Sequence, residues 1–487
     1  MLLSLTSNRA HVFLLITLLC CAGGCGSNVD QPKNNGSDKP VKARPISILV
    51  IDDPPLAAVV QRQWQARSTG DVKVVQATSD KMFSGDTKIT ADAIIYPAGM
   101  LGELVERDLI QVVPDSVLDN EKLNRRDVLT FERGPLVTWG SDVYAFSFGS
   151  PNLTLMYRRD IFEQLNISPP KTWDEYQEVA KRLSDPTQLK ELQLPPDAEW
   201  SATAEPLARG WAGQLLLARA AAYARKRSRF STLFNYQTME PLIDREPFVR
   251  ALDELVEAAN LAPENHSELT PEAARQEIMQ GHCAMALSWP VREPGATGDE
   301  ETQSDPISIS FSSLPGATEV FNFTGNSWDD RASTDETTVP LAAIAGRLGS
   351  VTTNARNANG AFSMFIELTG SSLSREIASR SQFTTLFRTS HLSRPEAWVA
   401  STMDADATQQ YADVAYAENS RLSWLFSVRI PGRTKYLNAL DAAVEQAKSG
   451  ETTSSEALES AAKRWREITA ELGIEKQRTA YANSLGL

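Results

Sequence analysis

The stretch Ile46–Ile51 (ISILVI), followed directly by Asp52 and Asp53, decides the fold class of this chain. Its apolar and mostly β-branched residues predict a strand that is buried on both faces between layers of helices. Two prolines follow the aspartates, and the apolar positions of residues 56–67 then have helical spacing. The segment therefore predicts a buried strand followed by a helix.

The same alternation continues through residues 72–76, 92–96, 101–107 and 110–113. Short buried strands that alternate with helices indicate an α/β fold with a mainly parallel sheet. In such sheets, the carboxyl ends of the strands form the crevice in which ligands bind. Residues at these ends are candidates for ligand binding, and they are Asp52, Asp53, Pro97 and Ala98.

Further strand and helix patterns occupy the rest of the chain. Thr172 and Glu175 form a capping box, which predicts a helix that begins after Thr172. Two helices are predicted at the end of the chain, and the second of them stops at Gly473. The other predicted strands are residues 143–148, 153–157, 283–289, 307–314 and 339–344, and the other predicted helices are residues 207–224, 248–261 and 355–368.

Residues 1–24 do not belong to the predicted fold. Their apolar run, residues 12–19, is too short for a bilayer core that needs about 20 residues, and it predicts a signal peptide for export. Small residues precede Cys25 as in the lipobox of bacterial lipoproteins, which predicts lipidation of Cys25. Ordinary secretory cleavage with an unmodified Cys25 is the alternative. Residues 25–45 have the composition of a flexible tether, so the lipid is the only predicted membrane attachment.

Length, charge and residue counts exclude several classes of protein. A chain of 487 residues is too long for one hydrophobic core. Its net charge of −14 lacks the basic excess of a general nucleic-acid-binding protein. Only Cys25 and Cys283 remain after removal of the signal peptide, so no intramolecular disulfide is expected. The histidines form no metal-binding motif, and neither a metal nor another cofactor is predicted.

Several blocks of sequence together resemble one protein family. The blocks are residues 144–146 (YAF), 155–162 (LMYRRDIF), 169–175 (PPKTWDE), 284–287 (AMAL) and 361–370 (AFSMFIELTG). In this order they resemble the extracellular solute-binding proteins that serve sugar ABC importers, the maltodextrin-binding-like group. The resemblance extends over residues 46–475. The chain departs from the family pattern in residues 186–246, which are longer and contain the basic run Arg225-Lys226-Arg227.

The resemblance implies a two-lobed α/β clamp of the periplasmic-binding-protein-like type II class, whose chain crosses between the lobes at hinges. Mapped onto this sequence, lobe one comprises residues 46–147 and 317–372, and lobe two comprises residues 148–316 and 373–487. The implied function is capture of a carbohydrate by hinge closure and its delivery to the permease of a membrane ABC importer. The implied protein is an exported, lipid-anchored monomer on the periplasmic or outer face of the membrane, and it is not an enzyme.

A sugar presents hydroxyl groups around an apolar ring face, so its site needs flat aromatic side chains and planar polar groups. For each tryptophan considered, packing in the core is the alternative to ligand contact, and for the paired aspartates the alternative is turn and N-cap chemistry. The resemblance places the ligand-contacting crossover at residues 150–152. The predicted ligand-binding residues are Asp52, Asp53, Pro97, Ala98, Ser150, Pro151, Asn152, Trp211, Trp289, Trp328, Arg433 and Tyr436.

Two other functions stay open from the sequence alone. One is an exported glycoside hydrolase or another polysaccharide-processing lipoprotein, because the carboxylates offer many possible acid pairs. The other is a binding protein of the same fold for a non-sugar solute, such as a polyol phosphate, a polyamine or a peptide. A phosphate would favour arginines and helix N-termini in the site, whereas a polyamine would favour carboxylates.

Overall fold

The computed structural model of this chain describes residues 45–67, 71–83, 88–185, 187, 190, 200–227, 229–262, 268–292 and 307–487. The predicted signal peptide, Cys25 and residues 26–44 of the predicted tether lie outside the described residues. The statements about export and lipidation therefore remain predictions.

Helices and strands alternate through the described residues. The strands are β1 (Ile46–Ile51), β2 (Val72–Ala77), β3 (Ala93–Pro97), β4 (Thr138–Trp139), β5 (Asp142–Val143), β6 (Phe146–Ser147), β7 (Thr154–Arg158), β8 (Ser201–Ala204), β9 (Cys283–Ser288), β10 (Ile309–Ser313), β11 (Glu319–Asn322), β12 (Ser327–Asp330), β13 (Leu341–Ala342), β14 (Arg347–Val351) and β15 (Leu425–Phe426). The helices are α1 (Pro54–Gln65), α2 (Ser79–Phe83), α3 (Leu101–Glu106), α4 (Asp115–Leu118), α5 (Thr130–Arg133), α6 (Arg159–Gln164), α7 (Trp173–Ser184), α8 (Ala212–Ala224), α9 (Glu246–Ala259), α10 (Pro271–Gln280), α11 (Ala358–Thr369), α12 (Ser374–Ala378), α13 (Ala405–Ser420), α14 (Arg433–Lys448), α15 (Ser454–Leu472) and α16 (Ile474–Ser484).

The first sheet has the strand order β2-β1-β3-β14-β6. β1 lies parallel to β2 and β3, as predicted, whereas β14 is antiparallel to both β3 and β6. Ile48 and Val50 of β1 pack in one apolar cluster with Phe365 of α11, while Ile51 belongs to a second cluster that contains Leu101 of α3. The strand is therefore covered on both faces, as its apolar sequence predicts.

The predicted strand at residues 339–344 is not a strand of this sheet. Residues 341 and 342 form β13, which pairs with β15, and the sheet strand is β14. Both segments are buried, so their apolar character does not distinguish them. β14 also contains Gly349 and Ser350, residue types that do not predict a strand. The Tyr96 hydroxyl lies 2.8 Å from the buried Ser350 hydroxyl and forms a hydrogen bond with it.

The second sheet has the strand order β10-β7-β9-β8. Every residue of its inner strand β9 is buried. Helices α10 and α13 pack on one side of this sheet, and α8 packs between α9 and α14 in the larger apolar cluster. The sheet is therefore a buried layer between helices.

Two features at helix ends were predictable from short motifs. Thr172 Oγ1 accepts a hydrogen bond from the Glu175 amide at 3.2 Å, and the Glu175 carboxylate accepts one from the Thr172 amide at 3.3 Å, so the predicted capping box is confirmed. Helices α14 and α15 confirm the predicted C-terminal pair. Gly473 ends α15 with a φ of +94°, but α16 begins at the next residue, which the sequence did not indicate.

The hairpin of β11 and β12 packs against α8 and α9. Trp328 of β12 meets Tyr223 of α8 edge to face, with ring centroids 5.9 Å apart. The hairpin thus contacts helices of the second predicted lobe, although the sequence predicts that residues 319–330 belong to the first. None of the described helices is both long and apolar enough to cross a bilayer.

Candidate functional site

The ends of β1 and β3 and the beginning of β14 meet in one place. The Ala98 amide donates to the Gly346 carbonyl at 3.1 Å, and Arg347 Nη2 donates to the Asp52 carbonyl at 2.8 Å. Gly346 has a φ of +108°, and a Cβ there would lie 2.7 Å from Ser150 Cβ. The fold therefore brings the predicted residues Asp52, Ala98 and Ser150 together, at a place called the strand-end junction below.

Asp53 is a structural residue of this junction. Its carboxylate accepts a hydrogen bond from the Leu56 amide at 3.1 Å, which caps α1. The same carboxylate accepts the Ser381 hydroxyl and forms a buried ion pair with Arg347 Nε at 3.0 Å. Burial lowers the pKa of Arg347, and the charge of Asp53 opposes this effect. The N-cap alternative is confirmed, and the carboxylate of Asp53 is engaged inside the protein.

Asp52 adopts a left-handed conformation with a φ of +51°. Its carboxylate accepts hydrogen bonds from the Ser79 amide at 3.2 Å and from the Ser79 hydroxyl. These contacts join the end of β1 to the first residue of α2. Asp52 is half-buried, so it lies at the junction but already has protein partners.

The crossover between β6 and β7 also reaches the junction. The Ser150 amide donates to Glu132 Oε1 at 2.9 Å, and the Ser150 hydroxyl donates to the Ala345 carbonyl at 2.8 Å. Pro151 is buried, and Asn152 Oδ1 is buried without a hydrogen-bond partner in the described part of the chain. Of the predicted crossover residues, Asn152 is therefore the one with a polar side-chain atom available for a ligand.

Glu132, which the sequence analysis did not single out, lies beneath this crossover. Its carboxylate is wholly buried and accepts hydrogen bonds from the Ser147 hydroxyl and the Ser150 amide. Burial raises the pKa of Glu132 to about 7, and the two hydrogen bonds oppose the rise. The local sequence does not indicate that Glu132 is buried, because the short helix α5 has no apolar periodicity that would show which of its faces is covered.

Two of the predicted tryptophans form a pair. Trp211 precedes α8 and Trp289 follows β9, and their ring centroids are 5.9 Å apart. Trp289 is 2% exposed and donates from Nε1 to the Gln382 carbonyl at 2.8 Å. Trp328 does not join them, since it meets Tyr223, which lies about 18 Å along the helix from Trp211.

Arg433, the first residue of α14, connects this helix to the end of β3. Its Nη2 donates to Gln214 Oε1 at 2.9 Å, and its Nε is buried without a hydrogen-bond partner among the described residues. A Cβ at Gly99 would lie 2.5 Å from Arg433 Nε, so the missing side chain of Gly99 admits the guanidinium. Burial lowers the pKa of Arg433 to about 10, which leaves it a cation at neutral pH.

Tyr436 lies in the core and not at the junction. It is completely buried, and its hydroxyl group lies 2.8 Å from Thr469 Oγ1. Its ring packs against Trp465 of α15, with ring centroids 5.2 Å apart.

The described residues contain no candidate metal site, because no group of three or more His, Cys, Asp or Glu among them could hold an ion.

Two α/β sheets joined by crossover segments, with polar residues and a tryptophan pair near the strand ends, define a two-lobed binding protein. Residues 52–327 match the sequence profile of the bacterial extracellular solute-binding proteins. Because this match extends over more than half of the chain, the protein belongs to that family. The resemblance inferred from sequence is thereby confirmed.

Solved structures confirm the two-lobed fold. The ABC transporter solute-binding protein of Agrobacterium radiobacter K84, solved with ribitol, is 18% identical with a TM-score of 0.64 over 88% of this chain and 100% of that chain. MalE3 of T. maritima, solved with maltose, is 15% identical with a TM-score of 0.62 over 88% and 100% of the chains. The solute-binding protein of Agrobacterium vitis S4, solved with D-mannitol, is 16% identical with a TM-score of 0.60 over 88% and 99%. No curated protein sequence matches the chain.

Proposed function

We propose that this protein captures a carbohydrate or polyol at the strand-end junction and delivers it to the permease of an ABC importer. The observation that carries the proposal is the Trp211–Trp289 pair. Trp289 follows Ser288, which pairs with Thr154, two residues after Asn152, and Gln214, the partner of Arg433, lies three residues after Trp211. Asn152 and Arg433 both have a buried atom without a hydrogen-bond partner among the described residues. Family membership supports the role in solute binding, and the solved relatives that hold ribitol, maltose and D-mannitol support the class of solute.

The chemistry of the junction suits a polyhydroxylated solute. The half-buried indole of Trp211 would cover the apolar face of a sugar ring, while Asn152 Oδ1 would accept from a hydroxyl group and Arg433 Nε would donate to one. Each of these protein atoms is buried without a partner in the described residues, and an unmade buried hydrogen bond costs about 1–3 kcal/mol. A solute that supplies both partners removes this cost.

Capture is proposed to proceed by closure of two lobes. We place residues 46–147 and 331–372 in lobe one, and residues 148–330 and 373–487 in lobe two. The hairpin of β11 and β12 is placed in lobe two because it packs against α8 and α9. A solute that contacts both lobes only in the closed arrangement shifts the open-closed equilibrium by its differential affinity. The permease would distinguish the loaded from the empty protein by that change in shape.

The chain is proposed to act as an exported monomer that is held at the membrane by a lipid on Cys25 and that binds its solute without converting it. Support comes from the signal-like residues 1–24, the small residues before Cys25 and the extracellular character of the family. Mass spectrometry of the N-terminal peptide from native membranes tests the lipid. An unmodified Cys25 in the mature protein would contradict this part of the proposal.

The binding proposal is tested by a thermal-shift screen with ribitol, D-mannitol, maltose and related oligosaccharides. A ligand present at 100 times its dissociation constant adds about 2.7 kcal/mol to the free energy of unfolding, which gives a clear shift in melting temperature. Small-angle scattering with the best ligand should then show a smaller radius of gyration. The proposal would be contradicted if none of these solutes stabilised the protein, or if the radius of gyration were unchanged at saturating ligand.

A phosphorylated or acidic sugar is the second candidate solute, and Arg433 favours it. In the described part of the chain its guanidinium donates to the amide oxygen of Gln214 and to no carboxylate, although the charge of Asp441 acts on it, so it can offer a positive charge to an anionic group. The same screen with a polyol phosphate distinguishes the candidates, because binding by the phosphate alone would favour the acidic solute.

A further inference from the structure

A cavity of about 440 Å³ lies apart from the strand-end junction. Its walls come from four segments of the chain, within residues 134–140, 225–234, 424–430 and 481–486. None of the residues predicted for solute binding lines it. Its volume is within the range of about 300–1,000 Å³ that is usual for small-molecule sites.

The walls of this cavity are rich in aromatic side chains. Phe234 and Tyr481 pack edge to face with ring centroids 5.2 Å apart, and Trp424 and Phe426 contribute the rings of another wall. Phe230 is 43% exposed and belongs to the lining as well. Such walls accommodate an apolar body, preferably a flat one.

The charged residues that line the cavity within the described part of the chain are arginines. They are Arg225 and Arg429, and no described Asp or Glu belongs to the lining. Arg429 is 3% exposed, and its Nη atoms donate to the carbonyls of Pro135 at 3.2 Å and Ser484 at 2.7 Å. Its Nε is buried without a partner in the described residues, and its guanidinium lies 3.5 Å from the centroid of the Phe426 ring. Burial lowers the pKa of Arg429 to about 9, so it stays charged at neutral pH.

Arg225 belongs to the basic run that departs from the family pattern. It donates from Nε to the Trp424 carbonyl at 3.1 Å and from Nη1 to the Lys226 carbonyl at 3.0 Å. Lys226, the next residue, differs because it forms an ion pair with Asp329 at 2.9 Å. The run therefore divides into a lysine with a carboxylate partner and an arginine whose hydrogen bonds go to backbone carbonyls.

We propose that this cavity is a second binding site, which takes a small organic anion with an aromatic or alkyl body. The body fills the space between the aromatic rings, and the anionic group balances the charges of Arg225 and Arg429. A buried charge without a counter-ion is costly, and hydrogen bonds between a guanidinium and a carboxylate are among the strongest in proteins. The buried hydroxyl of Thr232, which also lacks a partner in the described ranges, offers a further hydrogen bond.

The site is tested by isothermal titration calorimetry with 2-naphthoate and its neutral analogue 2-naphthamide. We expect the acid to bind at least tenfold more tightly than the amide. Arg429→Met retains the apolar stem but removes the charge, and it should lower affinity for the acid at least tenfold. Lys226→Met is the matched control, because Lys226 is a neighbouring cation outside the lining, and this variant should bind the acid as the natural protein does.

A further variant keeps the test decisive if Arg429→Met does not fold. Phe230→Glu places a carboxylate among the lining residues at an exposed position, and circular dichroism shows whether the variant is folded. It should repel the acid and lower its affinity at least tenfold. Equal affinity for acid and amide, absence of heat with the acid, or unchanged binding by a folded Arg429→Met or Phe230→Glu variant would overturn the proposal.

Discussion

Two buried arginines of this protein have opposite electrostatic surroundings. Arg219 is fully buried, and its Nη2 lies 2.9 Å from each carboxylate oxygen of Glu205. Arg429 is almost as deeply buried, but its hydrogen bonds go to backbone carbonyls and its guanidinium lies over Phe426. A buried cation with its own carboxylate has its charge balanced inside the fold, whereas a cation without one retains the capacity to bind an anion. The comparison separates a structural arginine from a candidate ligand-binding arginine.

The largest effect is expected for Glu205→Gln. This change preserves the shape of the side chain but leaves Arg219 as a buried charge without its hydrogen-bonded carboxylate. Breaking such a pair on one side costs about 3–5 kcal/mol. Tyr176, whose hydroxyl donates to Glu205 at 2.9 Å, keeps an acceptor in the amide oxygen, whereas Arg219 loses one of its two acceptors, so the loss reports on the ion pair with Arg219. Urea denaturation at pH 7 measures the change in free energy of unfolding.

Arg429→Met provides the control for this prediction. It removes a charge that has no carboxylate partner among the described residues. Hydrogen bonds of a charged group contribute about 1.5–3 kcal/mol, but the desolvation cost of the unpaired charge is removed with them, so the expected loss is only about 1 kcal/mol. If Arg429→Met and Glu205→Gln destabilised the protein equally, the distinction between the two arginines would be wrong.

Glu132 is the acidic counterpart of Arg429, since it is a buried carboxylate with neutral hydrogen-bond donors. Burial raises its pKa from 4.5 to about 7. Below pH 4.5 the group is protonated in both states, and as the pH rises to 7 the unfolded chain releases the proton first. The stability that Glu132 contributes is therefore present at low pH and is lost as the pH rises through 7, by about 3 kcal/mol in total.

This pH dependence is measured against Glu132→Gln, which keeps an acceptor for Ser150 but does not titrate. The natural protein should lose stability relative to the variant between about pH 4.5 and pH 8, as followed by urea denaturation at several pH values. A difference between the two proteins that does not change with pH would show that Glu132 titrates near its ordinary value.

The surroundings of Arg433 are intermediate between those of Arg219, which has a carboxylate partner, and those of Arg429, which has backbone carbonyls as partners. The side-chain partner of Arg433 is the neutral amide oxygen of Gln214. Arg433→Met should weaken binding of the best solute from the screen at least tenfold, since a hydrogen bond to a charged group contributes about 1.5–3 kcal/mol. Arg466→Met is the control. Arg466 is exposed, it forms an ion pair with Glu240 at 2.6 Å, and it does not belong to the junction. Calorimetry gives both affinities, and equal affinities in the two variants would remove Arg433 from the site.

Much of the fold could be predicted because its signals are local. The strand ISILVI and the capping box of Thr172 and Glu175 each depend on neighbouring residues, and both are present in the structure. β14 could not be identified in this way. Its buried Ser350 hydroxyl is satisfied by Tyr96 and by the carbonyl of Tyr144, which are 254 and 206 residues away in sequence.

The candidate site was less predictable, because it depends on which elements pack together. Arg433 and Tyr436 are three residues apart on α14, yet one lies against Gly99 and the other against Trp465. Trp211 directly precedes α8, whereas Trp328 contacts Tyr223 near the other end of the same helix. Residue type suggested all four for the site, and only the packing of helices and the hairpin distinguishes them.

The smallest effect is expected for Glu475→Gln, which removes the carboxylate from an exposed pair of the same chemistry as Glu205 and Arg219. Glu475 and Arg478 lie 2.7 Å apart in α16, with side chains 78% and 43% exposed. Water solvates both charges when the pair is broken, so the free energy of unfolding should change by less than about 0.5 kcal/mol. Urea denaturation beside Glu205→Gln measures both losses under one condition. Because the two pairs have almost equal distances, a similar loss in both variants would show that burial does not govern their strength, and the comparison of Arg219 with Arg429 would lose its physical basis.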